Sequence, residues 1–298
     1  MKINFKDFIR ALRLSFIPAS ILPFILGSLL PGHNFNALNF FLGLVAVVFV
    51  HLSANLANDY ADSKSGLDWQ DKKFYNFFGG SKLIQEGVLS EKFYFWLAVF
   101  FSISGALCVI ALSLIFKSPS VVAYFAVILF LAWSYSEKPL QFSYHGMGEA
   151  IIFILFGPAL VMGGYFIQTG IFPDLKSFMV SLPVGFLITA VLFANEIPDY
   201  PLDTSCGKRT WVSFLGQERA YIIYVILIVC AFMSISLNFT MGYLNIKALI
   251  SFVFILPALK AAAILRRQHT KPGFIQSSKL TIMVHACVSA ILILSVIR

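Results

Sequence analysis

Stretches of close to twenty consecutive apolar residues recur along the whole of this 298-residue chain, and that recurrence fixes its solvent before anything else does. A hydrocarbon core about 30 Å thick takes about 20 apolar residues in helical form to cross. Inside it every backbone polar group must be satisfied within the protein, which selects helices here. The runs lie at 14–30, 38–57, 93–116, 121–135, 147–167, 178–196, 221–238, 246–265 and 280–297. The prediction is an all-α polytopic membrane protein with nine transmembrane helices in one bundle. Only 12% of residues are charged, and no hydrophilic stretch is long enough for a second unit, so 1–298 reads as a single domain.

The formal charge of +8 would, in a soluble chain, raise the question of nucleic acid. Its distribution points elsewhere. With the N-terminus in the cytoplasm, 17 of the 22 Lys and Arg fall on the inner side: four before the first run, five in 58–92, one in 136–146, three in 197–220 and four in 266–279. Lys117, Lys176, Lys247 and Arg298 fall outside, and Lys260 lies within the eighth run. The positive-inside rule therefore predicts N-in and C-out. Thirteen of the 14 acids, all but Asp174, gather on the inner side. That marks a cytoplasmic working face on the cell (inner) membrane, with the bilayer and not nucleic acid as the large partner. The first run follows a basic segment as a signal peptide would. Pro18 and Pro23 interrupt it and no small-residue cleavage site follows, so it is read as a retained helix. Cys108, Cys206, Cys230 and Cys287 form no Cys-x-x-Cys pair and suggest no disulfide.

Against this oily background two acidic clusters stand out, Asn58-Asp59-Tyr60-Ala61-Asp62 and Asn195-Glu196-Ile197-Pro198-Asp199-Tyr200-Pro201-Leu202-Asp203. Carboxylates near a bilayer are costly, and several together repel one another unless a cation sits between them. On the helix that carries the second run and continues past its end, His51, Asn55, Asn58 and Asp62 share one helical face, with Asp59 one turn from Asp62. On the helix of the sixth, likewise continued, Asn195, Asp199 and Asp203 are spaced by four, with Pro198 and Pro201 expected to loosen the helix around them. Asp68 follows Asp62 beyond Gly66, where a loop can turn it back. Mg²⁺ takes oxygen ligands and is typically held by one or two carboxylates plus substrate phosphates. Two such clusters fit Mg²⁺ ions bridged by a diphosphate, with Lys208 and Arg209 adding positive charge. Each cluster opens a long inner loop, so the two halves of the chain read as a loose internal duplication. The competing reading is a solvated loop with Asn and Asp caps.

Other residues signal less. His51 is compatible with an acceptor contact or with simple packing, and His285 reads as structural. The 32 phenylalanines face lipid, pack the bundle or line a chamber where an isoprenoid tail lies. The inner segment YSEKPLQFSYHGMGE, from Tyr135 through Lys138 to Glu149, reads alone as a turn.

Taken together, these segments resemble the UbiA-type intramembrane prenyltransferases over most of the chain. NDYADSKSGLD (58–68) is similar to the family's first aspartate-rich motif in the form found in the branch that prenylates dihydroxynaphthoate for menaquinone. GGSKLIQEGVLS (79–90) is similar to that branch's Gly-Gly-Ser-Arg-type segment. DYPLDTSCGKRT (199–210) resembles the second motif, and YSEKP with GMGE (146–149) resembles a third conserved stretch.

The resemblance implies Mg²⁺ held by Asn58, Asp59 and Asp62 on one side and Asp199 and Asp203 on the other. Asp59, Asp62, Asp199 and Asp203 are then the catalytic carboxylates. Asn58, Asp68, Asn195, Lys208, Arg209, Lys138 and Tyr135 make up the substrate-binding set. The substrates implied are a polyprenyl diphosphate and an aromatic quinone precursor, 1,4-dihydroxy-2-naphthoate. The chain departs from the family pattern at Pro198, where the naphthoate enzymes usually carry Arg, at Trp211 and at Lys138, and 69–78 (WQDKKFYNFF) matches no family segment. Other acceptors compatible with the motifs are hydroxybenzoate, homogentisate, a chlorophyll precursor or a glycerol-phosphate lipid. From another class, an ion-coupled transporter would place its broken helices and acids at mid-membrane depth.

Overall fold

A computed structural model describes residues 4–32, 35–71 and 73–297. Lys2, Lys72 and Arg298, which enter the charge count above, lie outside the described residues. Among the described residues the regular elements are helices: α1 Phe5–Ala11, α2 Pro18–Leu29, α3 Ala37–Lys64, α4 Leu67–Gln70, α5 Glu91–Phe116, α6 Ser120–Ser134, α7 Gly148–Ile154, α8 Leu160–Thr169, α9 Leu175–Ser205, α10 Trp211–Leu215, α11 Tyr221–Thr240, α12 Ile255–Arg267 and α13 Lys271–Val296. A single π-turn, Leu155–Ala159, joins α7 to α8 at Pro158, and a 3-10 stretch, Ile246–Phe254, leads into α12.

Among the described residues seven helices are long and apolar enough to cross a membrane, and an eighth if the N-terminal pair, bent by 47°, counts as one span. The remaining expected run is α6. Its 15 residues reach about 22 Å at 1.5 Å per residue, short of a hydrocarbon core of about 30 Å. The architecture therefore carries seven or eight of the nine expected spans outright.

α9 is the axis of the protein. Seventy-two per cent of its apolar window is buried inside the structure, against 28% for α5, which presents its side to lipid. α9 packs against α7, α11 and α13, while α3 lies along α5. The largest core cluster joins α9 residues such as Leu187, Phe193 and Ile197 to Tyr224, Ile235, Val284 and Leu292. Helix starts are set by polar caps: Asn36 accepts from Asn39 N, Ser90 from Phe93 N and Asp174 from Ser177 N.

The expected runs end too early at both acidic clusters. α3 continues to Lys64 and α9 to Ser205, through Pro183, Pro198 and Pro201. A helical proline strips the hydrogen bond from the carbonyl four residues back. Two of those carbonyls are recovered by amide side chains. Asn238 Nδ2 of α11 donates to Met179 O at 2.8 Å, four residues before Pro183. Gln217 Nε2 donates to Ile197 O at 2.8 Å, four before Pro201. With these acceptors satisfied the backbone stays helical, and Asp199 and Asp203 are presented from a rigid helix, where loosening was expected. Asn238→Leu should therefore lower stability by about 1 kcal/mol, read as a fall in the thermal unfolding midpoint in detergent. An unchanged midpoint would show that Met179 O has another partner.

Candidate active site

Both acidic clusters lie at the C-terminal ends of their helices, α3 and α9, and the short helix α4 ties those ends together. Gln70 at the end of α4 donates to Cys206 Sγ at 2.8 Å and accepts from Ser205 Oγ at 2.9 Å, both just at the end of α9. A second link runs through the 135–147 segment. Tyr144 OH donates to Asp62 Oδ1 at 2.8 Å, and Lys208 Nζ sits 5.6 Å over the Tyr144 ring and 3.3 Å from Asp203 Oδ1. Backbone bonds from Arg209 N to Tyr144 O (3.0 Å) and from Gly146 N to Arg209 O (2.7 Å) stitch the two loops. Trp211 Nε1 adds a bond to Gly146 O at 3.1 Å, which gives this departure from the family pattern a structural role.

Each carboxylate has a definite environment. Asp59 accepts from Ser81 N at 3.1 Å and has Arg13 Nη1 at 3.5 Å. Asn58 donates to Asp62 Oδ2 at 3.2 Å and to Ser136 Oγ at 2.9 Å, and turns its own oxygen to Arg13 at 3.4 Å. Asp68 is buried and paired with Lys82 Nζ at 2.7 Å. Burial and the neighbouring charge of Asp62 push Asp68 up to about 7, against the pull of Lys82. Burial opposes the charge on Lys208, but Asp203 and Asp62 outweigh it and raise its pKa above the usual lysine value. Asp199 is partly buried and lies within electrostatic reach of Asp203, Lys208, Lys82 and Asp68, so the two clusters share one field.

Gly80, at φ +73°, lets the backbone pass beside these groups. A Cβ there would stand 3.0 Å from Asp68 Oδ2 and 3.3 Å from Asp59 Oδ1. Among the described residues no group of three or more His, Cys, Asp or Glu is close enough to hold a metal by itself. The donor set nonetheless suits a hard cation completed by substrate oxygens. Asp203 Oδ2 is buried with no hydrogen-bond partner among the described residues, as is Asn195 Oδ1 two turns earlier on α9.

Beneath the clusters lies a chamber with about 1510 Å³ of empty space, counting the part open to the surroundings. Arg13, Asn58, Tyr135 and Asn195 line its polar end. Its walls are Phe24, Phe125, Phe156 and Ile188, and it reaches Gly43 and Leu112 at the far side. From Asn58 to Gly43 the chamber follows α3 for about 22 Å.

Most of the expected site residues thus converge: Asn58, Asp59, Asp62, Asp68, Asp199, Asp203, Lys208, Asn195 and Tyr135. Two stand apart. Lys138 is exposed, and Arg209 contributes its backbone while its side chain is exposed. Arg13, Ser81, Lys82 and Tyr144 were not singled out from sequence, although Lys82 lies within the quoted GGSK segment. In the unmatched stretch 69–78, the residues from Phe74 to Phe77 form an aromatic strap. Phe74 lies under the Arg10 guanidinium at 4.0 Å, Phe77 under Lys279 at 5.7 Å, and Tyr75 meets Lys271.

The family model described as UbiA prenyltransferase family matches residues 20–281. The chain belongs to the UbiA prenyltransferase family. It is similar to the UbiA prenyltransferase domain-containing protein 1 of Homo sapiens, 30% identical over 227 residues that cover 73% of this chain and 63% of that protein. It is also similar to the 1,4-dihydroxy-2-naphthoate octaprenyltransferase of Mycobacterium tuberculosis, 29% identical over 183 residues, 61% of this chain and 60% of that one. The match spans just under two thirds of the length of such relatives. A UbiA homolog from Archaeoglobus fulgidus bound to GPP and Mg²⁺ superposes with a TM-score of 0.67 at 16% identity, over 97% of this chain and 98% of that one. The apo UbiA homolog from Aeropyrum pernix gives 0.74 at 18%, over 95% and 98%. The fold is that of UbiA proteins, and with its apolar helices it makes this UbiA-family member an integral membrane protein.

The Lys82–Asp68 pair makes a direct test of the site's electrostatics. Lys82→Met leaves a buried carboxylate unpaired and, with Asp68 already raised to about 7, should destabilise the protein by about 1 kcal/mol at pH 8. Losing Lys82 raises the Asp68 pKa further, so the penalty exists above that pKa and fades as pH falls below it. Unfolding midpoints should show a smaller loss at pH 6 and recovery in the Lys82→Met/Asp68→Asn double variant. Equal losses at both pH values would contradict this.

Proposed function

We propose that this protein transfers a polyprenyl group from a prenyl diphosphate to an aromatic quinone precursor, 1,4-dihydroxy-2-naphthoate, as a step of menaquinone biosynthesis. The observation that carries the reading is the junction of two environments: a long apolar chamber whose polar end, at Asn58 and Asn195, meets two carboxylate clusters. A substrate with a diphosphate head and a hydrocarbon tail needs that adjacency. The form of the 58–68 and 79–90 motifs supports the naphthoate acceptor, and so does the likeness to the relative that bears that acceptor in its name. The acids stand at helix ends, which counts against a transporter reading. The basic inner loops support an N-in orientation in the cell membrane with the site on its cytoplasmic face, and nine spans in a single domain would then put the C-terminus outside.

Asn58, Asp59 and Asp62 with Asp199 and Asp203 would hold Mg²⁺, which supplies positive charge to the diphosphate and its leaving group. Lys208 and Lys82 stand among these carboxylates and offset the remaining phosphate charge as the allylic C–O bond breaks and its electron pair departs with the pyrophosphate. Aromatic side chains that line the chamber, Phe156 and Tyr135 among them, would favour positive charge developing on the allyl group. The apolar lining keeps out water, which would otherwise capture that cation. The naphthoate ring carbon then forms the new C–C bond, and the ring's bond to its carboxylate breaks, releasing CO₂ and returning the electron pair to the aromatic ring.

The test is a membrane assay with a radiolabelled prenyl diphosphate, Mg²⁺, and naphthoate or hydroxybenzoate supplied separately. A demethylmenaquinone-like product is expected from the naphthoate alone, lost with EDTA and restored by Mg²⁺. Product from hydroxybenzoate alone would reassign the acceptor, and no product from either would reject both acceptors. Asp59→Ala and Asp199→Ala should each lower kcat by about 10²–10³ while the protein still inserts and folds. Near-normal turnover in either variant would sink the ligand assignment.

A further inference from the structure

Seven residues before Asn58 on α3, about 10 Å deeper along the helix axis, the chamber wall holds a buried ring nitrogen that nothing in the mechanism above uses. His51 is 6% exposed and lines the chamber. Its Nδ1 lies 2.5 Å from Ser20 Oγ on α2, and its ring meets Phe156 edge-on at 5.9 Å between centroids. Its Nε2 is buried with no hydrogen-bond partner among the described residues. His285 on α13 has an equally unpartnered Nε2 but is not among the residues that line the chamber. Asn195 Oδ1, from α9 at the chamber's polar end, is a second buried atom without a partner among the described residues.

A neutral imidazole offers one N–H and one lone pair. The Ser20 hydroxyl engages Nδ1, fixes the ring and leaves Nε2 to present the complementary role to the cavity. A polar atom left without a partner in an apolar wall is unfavourable, and a ligand that supplies the partner removes that cost. An isoprenoid tail has no such group. A hydroxylated aromatic ring does.

Resting on the acceptor class proposed above, we infer that His51 Nε2 hydrogen-bonds a ring hydroxyl of the aromatic acceptor and sets acceptor specificity, with Ser20 orienting the imidazole. The acceptor ring then lies deeper than the diphosphate, its hydroxyl at His51.

The test is titration calorimetry on the full-length protein in detergent, with 1,4-dihydroxy-2-naphthoate and each of its two monomethyl ethers. The wild type should bind the naphthoate about tenfold more tightly than one of the ethers. His51→Phe should bind the naphthoate about tenfold more weakly and no longer discriminate, while its affinity for geranyl diphosphate with Mg²⁺ is unchanged. His51→Gln, which keeps a polar group, should retain part of the discrimination. Ser20→Ala, which frees the ring without removing it, should lose about threefold. Unchanged naphthoate affinity and discrimination in His51→Phe would overturn the assignment, as would a loss confined to geranyl diphosphate. If the wild type binds hydroxybenzoate in place of the naphthoate, the acceptor identity fails, and His51 keeps its role only if His51→Phe weakens hydroxybenzoate. A wild type that binds neither compound overturns both.

Discussion

The arrangement of charge at the polar end of the chamber is the constraint on which the rest of the structure depends. Asp59, Asp62, Asp68, Asp199 and Asp203 are gathered where two helices meet, and Arg13, Lys82 and Lys208 are set among them. Five carboxylates against three cations leave an excess of negative charge in a poorly hydrated place, where like charges repel strongly. Lys82 holds Asp68, Lys208 holds Asp203, and Arg13 stands beside Asp59. What stays unsatisfied is oxygen, such as Asp203 Oδ2. Such unmet acceptors suit a divalent cation whose remaining positions phosphate oxygens can fill.

The scaffold keeps those oxygens in place by closing its backbone accounts elsewhere. α9 runs through the middle of the protein with three internal prolines, and side-chain amides from Asn238 and Gln217 take up two of the carbonyls the prolines expose. At Pro158 the same difficulty is met differently, by a π-turn between α7 and α8. The glycines also work by proximity. Gly157 lies so close to Gly185 of α9 that a Cβ would stand 2.7 Å from the Gly185 Cα, so α9 and the broken helix cross at backbone distance.

Much of this was legible from the sequence, and what was missed has physical causes. The stripe Asn58, Asp62 and its neighbours follows the 3.6-residue period, so its placement on one face of α3 could be read directly. The extension of α9 through Pro201 could not, because the compensating donor, Gln217, comes from the next loop and its pairing with Ile197 O is a tertiary fact. Arg13 was counted only as a basic residue near the N-terminus; that it reaches Asp59 depends on the bend between α1 and α2. Lys82 was hidden for the opposite reason: a lysine in a long polar loop is ordinarily solvated, and only the fold buries it against Asp68. The aromatic strap within 69–78 had no motif to match because its partners, Arg10, Lys271 and Lys279, come from the two ends of the chain. The exposure of Lys138 shows the reverse case, a residue whose segment reaches the site while its side chain points away.

On the proposed reading Mg²⁺ and the diphosphate complete the site together, so their binding is coupled, and reciprocally so. The most direct measurement is Mg²⁺ affinity by titration calorimetry, with and without a non-reactive thiolo analogue of geranyl diphosphate, paired with analogue affinity with and without Mg²⁺. The account predicts weak Mg²⁺ binding to the protein alone and a gain of at least about tenfold, or about 1.4 kcal/mol, with the analogue present. The same factor should appear in the analogue's affinity when Mg²⁺ is added. Mg²⁺ affinity independent of the analogue, or analogue affinity independent of Mg²⁺, would contradict it.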